Sequence, residues 1–80
     1  MNGLLENKVC LLTGASSGLG RSAALLAAKE GAKLALGDWD DEGGRETVRL
    51  VAESGGEAVF LKTDVTKSED VKALVSKSID

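Results

Sequence analysis

The sequence contains no histidine, no tyrosine and no proline, and only one cysteine, one tryptophan and one phenylalanine among its 80 residues. Without histidine, and with Cys10 as its one thiol, the chain can build neither a Cys/His zinc site nor an internal disulfide. Without tyrosine or histidine, no mechanism that needs a phenol or an imidazole as acid or base can be completed by these residues. No metal site and no catalytic residue is assigned to this chain. Long apolar runs are missing too: the longest, Ala23 to Ala28, falls far below the roughly 18 residues that a membrane-spanning helix needs. The start, Met1 to Lys8, has neither the apolar core of a signal peptide nor the glycine at position 2 that myristoylation requires. A cytoplasmic protein with no membrane partner is expected, and Cys10 reads as an inert buried thiol in the first strand, in a reducing compartment. Thirteen acidic and ten basic residues give a net charge of -3 with no long block of one sign, which argues against nucleic acid as a partner.

What is present is an alternation of short apolar runs and helical patterns. Lys8 to Thr13 is an apolar run bounded by polar residues and glycine, which predicts a strand buried on both faces. Leu19, Ala23, Leu26 and Ala27 follow helical spacing, and Gly31 stands where a left-handed cap ends a helix. A second strand is expected over Lys33 to Gly37, with Asp38 at its carboxyl end. Asp40, Asp41 and Glu42 then suit the positive end of a helix whose apolar positions are Val48, Val51 and Ala52. Asp41 with Arg45, and Arg49 with Glu53, pair along its outer face, and Gly55-Gly56 ends it. Glu57 to Lys62 predicts a third strand, and Thr66-Lys67-Ser68-Glu69 reads as a capping box opening a third helix. The order β-α-β-α-β-α predicts an α/β fold with right-handed crossovers, the first half of a Rossmann-type doubly wound parallel sheet. The N-terminus reads as a true beginning, whereas the helical pattern near Asp80 lacks a stop signal and reads as a cut. Residues 1–80 are thus expected to be the N-terminal part of one dinucleotide-binding domain, with the first strand left as an edge.

Between the first strand and the first helix lies Thr13-Gly14-Ala15-Ser16-Ser17-Gly18-Leu19-Gly20. A phosphate-binding turn must reverse the chain tightly, admit a ligand to the backbone, and aim free helix N–H groups at negative charge. Gly14 serves the turn, Gly18 the approach of a pyrophosphate, and Gly20 the close packing of helix on sheet, while Ser16 and Ser17 add hydroxyl donors. No lysine follows in the manner of a nucleoside-triphosphate loop. The GxGxxG/A match that starts at Gly18 lies too far beyond the strand end to count as the dinucleotide fingerprint. Arg21, in the first helical turn, reads as a solvated face residue.

These residues resemble the N-terminal part of the short-chain dehydrogenase/reductase family. The likeness rests on the TGxxxGxG loop from Thr13 to Gly20, on Gly31-Ala32-Lys33, on Asp38 and on Asp64-Val65, in that order along essentially the whole chain. The family's epimerase-like branch spaces its glycines differently, as TGxxGxxG. The resemblance implies that Gly14, Ser16, Ser17, Gly18, Leu19 and Gly20 contact a dinucleotide. It further implies that Asp38 holds the adenosine ribose hydroxyls and that Asp64 and Val65 hold the adenine edge. Trp39 either stacks near the adenine or covers the sheet end. Asp38 follows Gly20 by 18 residues, close to the roughly 20 expected of a ribose-binding carboxylate. A carboxylate accepts bonds from vicinal hydroxyls and repels a 2′-phosphate, and no Arg or Lys occupies position 17 or 39, so NAD is favoured over NADP.

The resemblance also implies an oxidoreductase that interconverts an alcohol and a ketone or aldehyde, acting on a small-molecule substrate and assembling as a homo-oligomer. The family's Ser, Tyr and Lys proton-transfer set and its Asn-Ala-Gly segment are not in this chain, so these 80 residues alone are expected to be inactive. The alternative is a non-catalytic NAD-binding or interaction module.

Overall fold

The computed structural model describes residues 8–79. The stretch read as a beginning, apart from Lys8, and the terminal Asp80 lie outside the described residues. The elements are β1 (Val9–Thr13), α1 (Gly18–Lys29), β2 (Lys33–Asp38), α2 (Asp41–Glu53), β3 (Glu57–Lys62) and α3 (Ser68–Ile79). The three strands form a parallel sheet in the order β1-β2-β3, with β1 at an edge among the described residues. Cys10, Leu34 and Ala58 lie in register, as do Leu12, Leu36 and Phe60. Because strand side chains alternate between faces, these six share one face. There they pack against Ala24 and Ala28 of α1 and Val51 of α2.

The helix boundaries follow from local chemistry. Asp40 caps α2 by accepting the Gly43 N–H at 3.0 Å, and Asp41 and Glu42 occupy its first turn. Ion pairs join Arg45 to Asp41, and Arg49 to both Glu46 and Glu53, on its exposed face. α1 and α2 end alike. Ala32 N–H donates to the Ala27 carbonyl and Gly31 N–H to that of Ala28; Gly56 and Gly55 make the same two bonds to Val51 and Ala52. Gly31 and Gly55 have φ of 95° and 90°, as this closing motif requires.

Two expectations change. β1 is not buried on both faces: Val9 is 54% and Leu11 39% exposed, whereas Leu34, Ala35 and Leu36 of the central β2 are buried. Among the described residues, the face that carries Val9 and Leu11 is covered by α3 alone, which packs on β1 and β2. A single helix, about 10 Å across, cannot cover three strands spaced about 4.8 Å apart. Leu74 of α3 is fully buried against Gly37 and Thr63, and Val59 on β3 stays 42% exposed.

The capping box is also absent. Thr66 turns its N–H and hydroxyl to Asp64 Oδ1, at 2.9 and 2.6 Å, and α3 starts only at Ser68. Asp70 instead reaches back to accept the Asp64 N–H at 2.9 Å. The Asp64 side chain forms its own turn and competes for the threonine. Among the described residues, no helix is long and apolar enough to cross a membrane.

Candidate cofactor site

The site lies at the carboxyl ends of the strands, where loops leave the sheet. The loop after β1 reverses at Gly14 and enters α1 at Gly18, with φ of 68° and 57°, conformations that suit glycine. Among the described residues, a Cβ at either position would meet no atom beyond its own chain neighbours and helix backbone within 4 Å, which leaves space above both. Gly20 differs: a Cβ there would lie 1.7 Å from the Gly14 carbonyl oxygen, so α1 sits directly against the turn.

Asp38, the last residue of β2, is joined to this loop. Its Oδ2 accepts the Ser16 N–H at 3.1 Å and its Oδ1 the Asp40 N–H at 3.0 Å. Partial burial works to raise the Asp38 carboxyl, but hydrogen bonds from Asp40, from Ser16 and from Trp39 together outweigh it and hold it below its usual range. The carboxylate is therefore charged at neutral pH. It has about four acceptor directions, so both oxygens keep capacity for hydroxyl donors after accepting the two backbone N–H groups.

Gly14, Asp38, Trp39, Thr63, Asp64 and Val65 line one cleft of about 190 Å³. Five of these were expected from the sequence, and the fold brings them together. The Trp39 indole is 63% exposed, and the Lys62 ammonium stands 4.5 Å from its ring centroid. This contact is a cation–π pair that fixes the ring at the cleft. Hydrogen bonds from the Thr66 hydroxyl and N–H hold the Asp64 carboxyl below its usual range. Ser16 is buried beneath the loop, whereas Ser17, Gly18 and Leu19 are exposed where α1 begins. Ser16, Ser17, Gly18, Leu19 and Gly20 do not line the cleft itself.

Sequence reasoning missed three residues. Thr63, almost fully buried, lines the cleft and donates its hydroxyl to the Leu61 carbonyl. Arg21 is not a solvated face residue: it is half-buried and donates to Thr47, Ser16 and Gly43. Thr47, fully buried, donates to the Ala15 carbonyl at 2.7 Å. A polar residue at a helix position that periodicity leaves to solvent (Arg21), or amid an exposed charged run (Thr47), carries no sequence signal for such bonds.

The arrangement fits a dinucleotide: a charged acceptor pair for vicinal hydroxyls, an aromatic wall, and a glycine turn with open space over a helix N-terminus. Known proteins of similar sequence carry oxidoreductase and dehydrogenase names. The chain is 49% identical over 76 residues to an uncharacterised oxidoreductase of Listeria monocytogenes, covering 95% of this chain and 31% of that protein. It is 41% identical over 75 residues to a 3beta-hydroxysteroid dehydrogenase of Mediterraneibacter gnavus, covering 94% of this chain and 27% of that one. A short chain dehydrogenase/reductase from Burkholderia phymatum, solved in complex with NAD, superposes with a TM-score of 0.90 at 36% identity. That match covers 94% of this chain and 27% of the solved one. The chain thus spans under a third of the length of these relatives. With the short chain dehydrogenase family model matching residues 8–80, and the parallel sheet matching the N-terminal Rossmann half of family structures, the chain belongs to the short chain dehydrogenase family.

Proposed function

We propose that this chain is the N-terminal, dinucleotide-binding part of an NAD-dependent oxidoreductase that interconverts an alcohol and a ketone or aldehyde. The observation that carries this reading is the Asp38 carboxylate, held at the cleft by two backbone N–H groups with acceptor capacity left on both oxygens. A ribose with free 2′ and 3′ hydroxyls matches that capacity. A 2′-phosphate would bring a second negative charge to it, near the further carboxylates of Asp40, Asp41 and Glu42. Lys62, the basic residue in register with Asp38, has its ammonium on the Trp39 ring.

In this reading Asp64 and Val65 hold the adenine edge, and Trp39 stacks near the adenine. Gly14 and Gly18 leave room for the pyrophosphate, and Ser16, Ser17, Leu19 and Gly20 shape the turn against which it lies. When bound, NAD supplies a nicotinamide ring that accepts or returns a hydride. In this reading the residues of this chain bind and orient it, and the Ser, Tyr and Lys proton-transfer set that the family uses is not among them. The alcohol or carbonyl compound and the acid/base groups belong to the whole protein's chemistry.

The test is calorimetric titration of the complete protein with NAD and NADP, followed by assays of nicotinamide reduction with a panel of primary and secondary alcohols and of its reoxidation with the matching carbonyl compounds. NAD binding tighter than NADP, with alcohol-dependent reduction, is expected. Absence of binding by either dinucleotide would overturn the reading. Tight binding without turnover on any alcohol or carbonyl compound would favour a non-catalytic module.

A further inference from the structure

The dinucleotide reading gives Arg21 no task, yet its guanidinium ties together three parts of the fold. From the first turn of α1, Nε donates to Thr47 Oγ1 at 2.9 Å and Nη2 to the Gly43 carbonyl of α2 at 3.0 Å. Nη2 also donates to the Ser16 carbonyl in the glycine loop. The Thr47 hydroxyl, which accepts from Arg21, donates to the Ala15 carbonyl at 2.7 Å. Two successive carbonyls of the loop are thus held from the α2 side.

Planarity turns this into a statement about the opposite side of the loop. In a trans peptide the carbonyl of one residue and the N–H of the next point in opposite directions, and the described residues contain no cis peptide bond. With the Ala15 carbonyl on Thr47, the Ser16 N–H must point away from α2, and it meets Asp38 Oδ2 at 3.1 Å. The same rule applies to the next peptide. With the Ser16 carbonyl on Arg21, the Ser17 N–H is turned away from the guanidinium, and Ser17 itself is exposed.

We propose that Arg21 is a positioning residue for cofactor binding, which fixes the peptide plane between Ser16 and Ser17 so that the Ser17 N–H is presented to the dinucleotide pyrophosphate. Thr47 does the same one peptide earlier, aiming the Ser16 N–H at the ribose-binding Asp38. This inference rests on the dinucleotide reading. The planar fork suits the task, since one guanidinium reaches two carbonyls and a hydroxyl together, which a lysine ammonium on a flexible stem does not do in one fixed geometry. Arg21 shares its cleft with Asp40, Glu42 and Glu46. Those carboxylates offset its charge, so its effect on the loop is directional rather than a field acting on phosphate.

The experiment compares ADP, which carries the pyrophosphate, with adenosine, which does not, as ligands of the complete protein. Wild type, Arg21→Met, Arg21→Lys and Thr47→Val are titrated. Both Arg21 variants are expected to bind ADP about tenfold more weakly and adenosine within about twofold of wild type. Thr47→Val is expected to weaken adenosine and ADP together. If Arg21→Met does not fold, the ADP-to-adenosine ratio of Arg21→Lys decides. Full recovery of ADP affinity in Arg21→Lys would assign the effect to charge and overturn the proposal. Equal losses for ADP and adenosine in the Arg21 variants would also overturn it, since they would mean general loosening. Wild-type protein that binds neither ADP nor NAD would instead refute the dinucleotide reading on which the proposal stands.

Discussion

Gly20→Ala and Gly18→Ala separate two reasons for glycine within one loop. At Gly20 the new Cβ would lie 1.7 Å from the Gly14 oxygen, 2.6 Å from the Gly14 carbonyl carbon and 3.0 Å from the Ala15 Cα. All three atoms are backbone, and the nearest must retreat by at least 1.3 Å to reach even 3.0 Å. The loop cannot retreat freely, because Ala15 and Ser16 are tied to Thr47, Arg21 and Asp38. Nor can α1 lift away, since Ala24 and Ala28 are buried in the core. Overpacking of this kind costs about 1–3 kcal/mol, and each hydrogen bond broken to relieve it about 0.5–1.5 kcal/mol, so Gly20→Ala should lose about 3–5 kcal/mol. That is a large part of a typical domain stability of about 5–15 kcal/mol. At Gly18 a Cβ has open space, and only the left-handed φ of 57° is strained, at about 1–2 kcal/mol. Urea unfolding of the complete protein without cofactor measures both. A Gly20→Ala protein within about 1 kcal/mol of wild type, or one more stable than Gly18→Ala, would refute the reasoning.

Asp38→Asn should be worse than a loss of charge alone, because its amide NH₂ must face either the Ser16 or the Asp40 N–H. We expect a stability loss of about 1 kcal/mol as well as weaker NAD binding, measured by unfolding and titration together. Gly37→Ala would place a Cβ 2.5 Å from Leu74 Cδ2 and 2.8 Å from Thr63 Oγ1. Overpacking by about 1–3 kcal/mol should loosen α3, seen as faster amide exchange there than in α1. The lowered Asp38 pKa fixes a sign for pH dependence. Its contribution is fully present above the unfolded value of about 3.9 and is lost as pH falls through the lower folded value. Titrations should therefore show NAD affinity unaffected by this group from about pH 5 upward and falling only below about pH 4; a decline centred near pH 6 would count against Asp38 as the ionised ribose acceptor.

Much of the fold was legible because its signals are local. Short apolar runs placed the strands, Gly31 and Gly55-Gly56 closed α1 and α2, and acidic residues opened α2. At the candidate site, residue type and spacing marked the places where the loop geometry is special: positive φ at Gly14 and Gly18, close packing at Gly20, and Asp38 bonded to the loop. Long-range polar contacts were not legible. Arg21 reaches Gly43 and Thr47 across 22 and 26 residues, and Thr47 reaches Ala15 across 32. Such bonds to backbone carbonyls leave no periodic trace. The exposure of Leu11 depends on how many helices cover a face, and the fate of Thr66 on competition with Asp64, neither of which an apolar run or a four-residue motif encodes.

The ratio of NAD to NADP affinity in wild type and Asp38→Ala tests the central claim most directly. A 2′-phosphate about 4 Å from the Asp38 carboxylate would meet a repulsion of roughly 4 kcal/mol per unit charge at an effective dielectric of 20. Solvent and salt at this partly exposed site reduce it to about 1–3 kcal/mol, roughly 5- to 150-fold in relative affinity. Wild type should prefer NAD within that range, and Asp38→Ala should bind NAD more weakly and lose most of the preference. An unchanged ratio would show that Asp38 does not contact the ribose and would contradict the account.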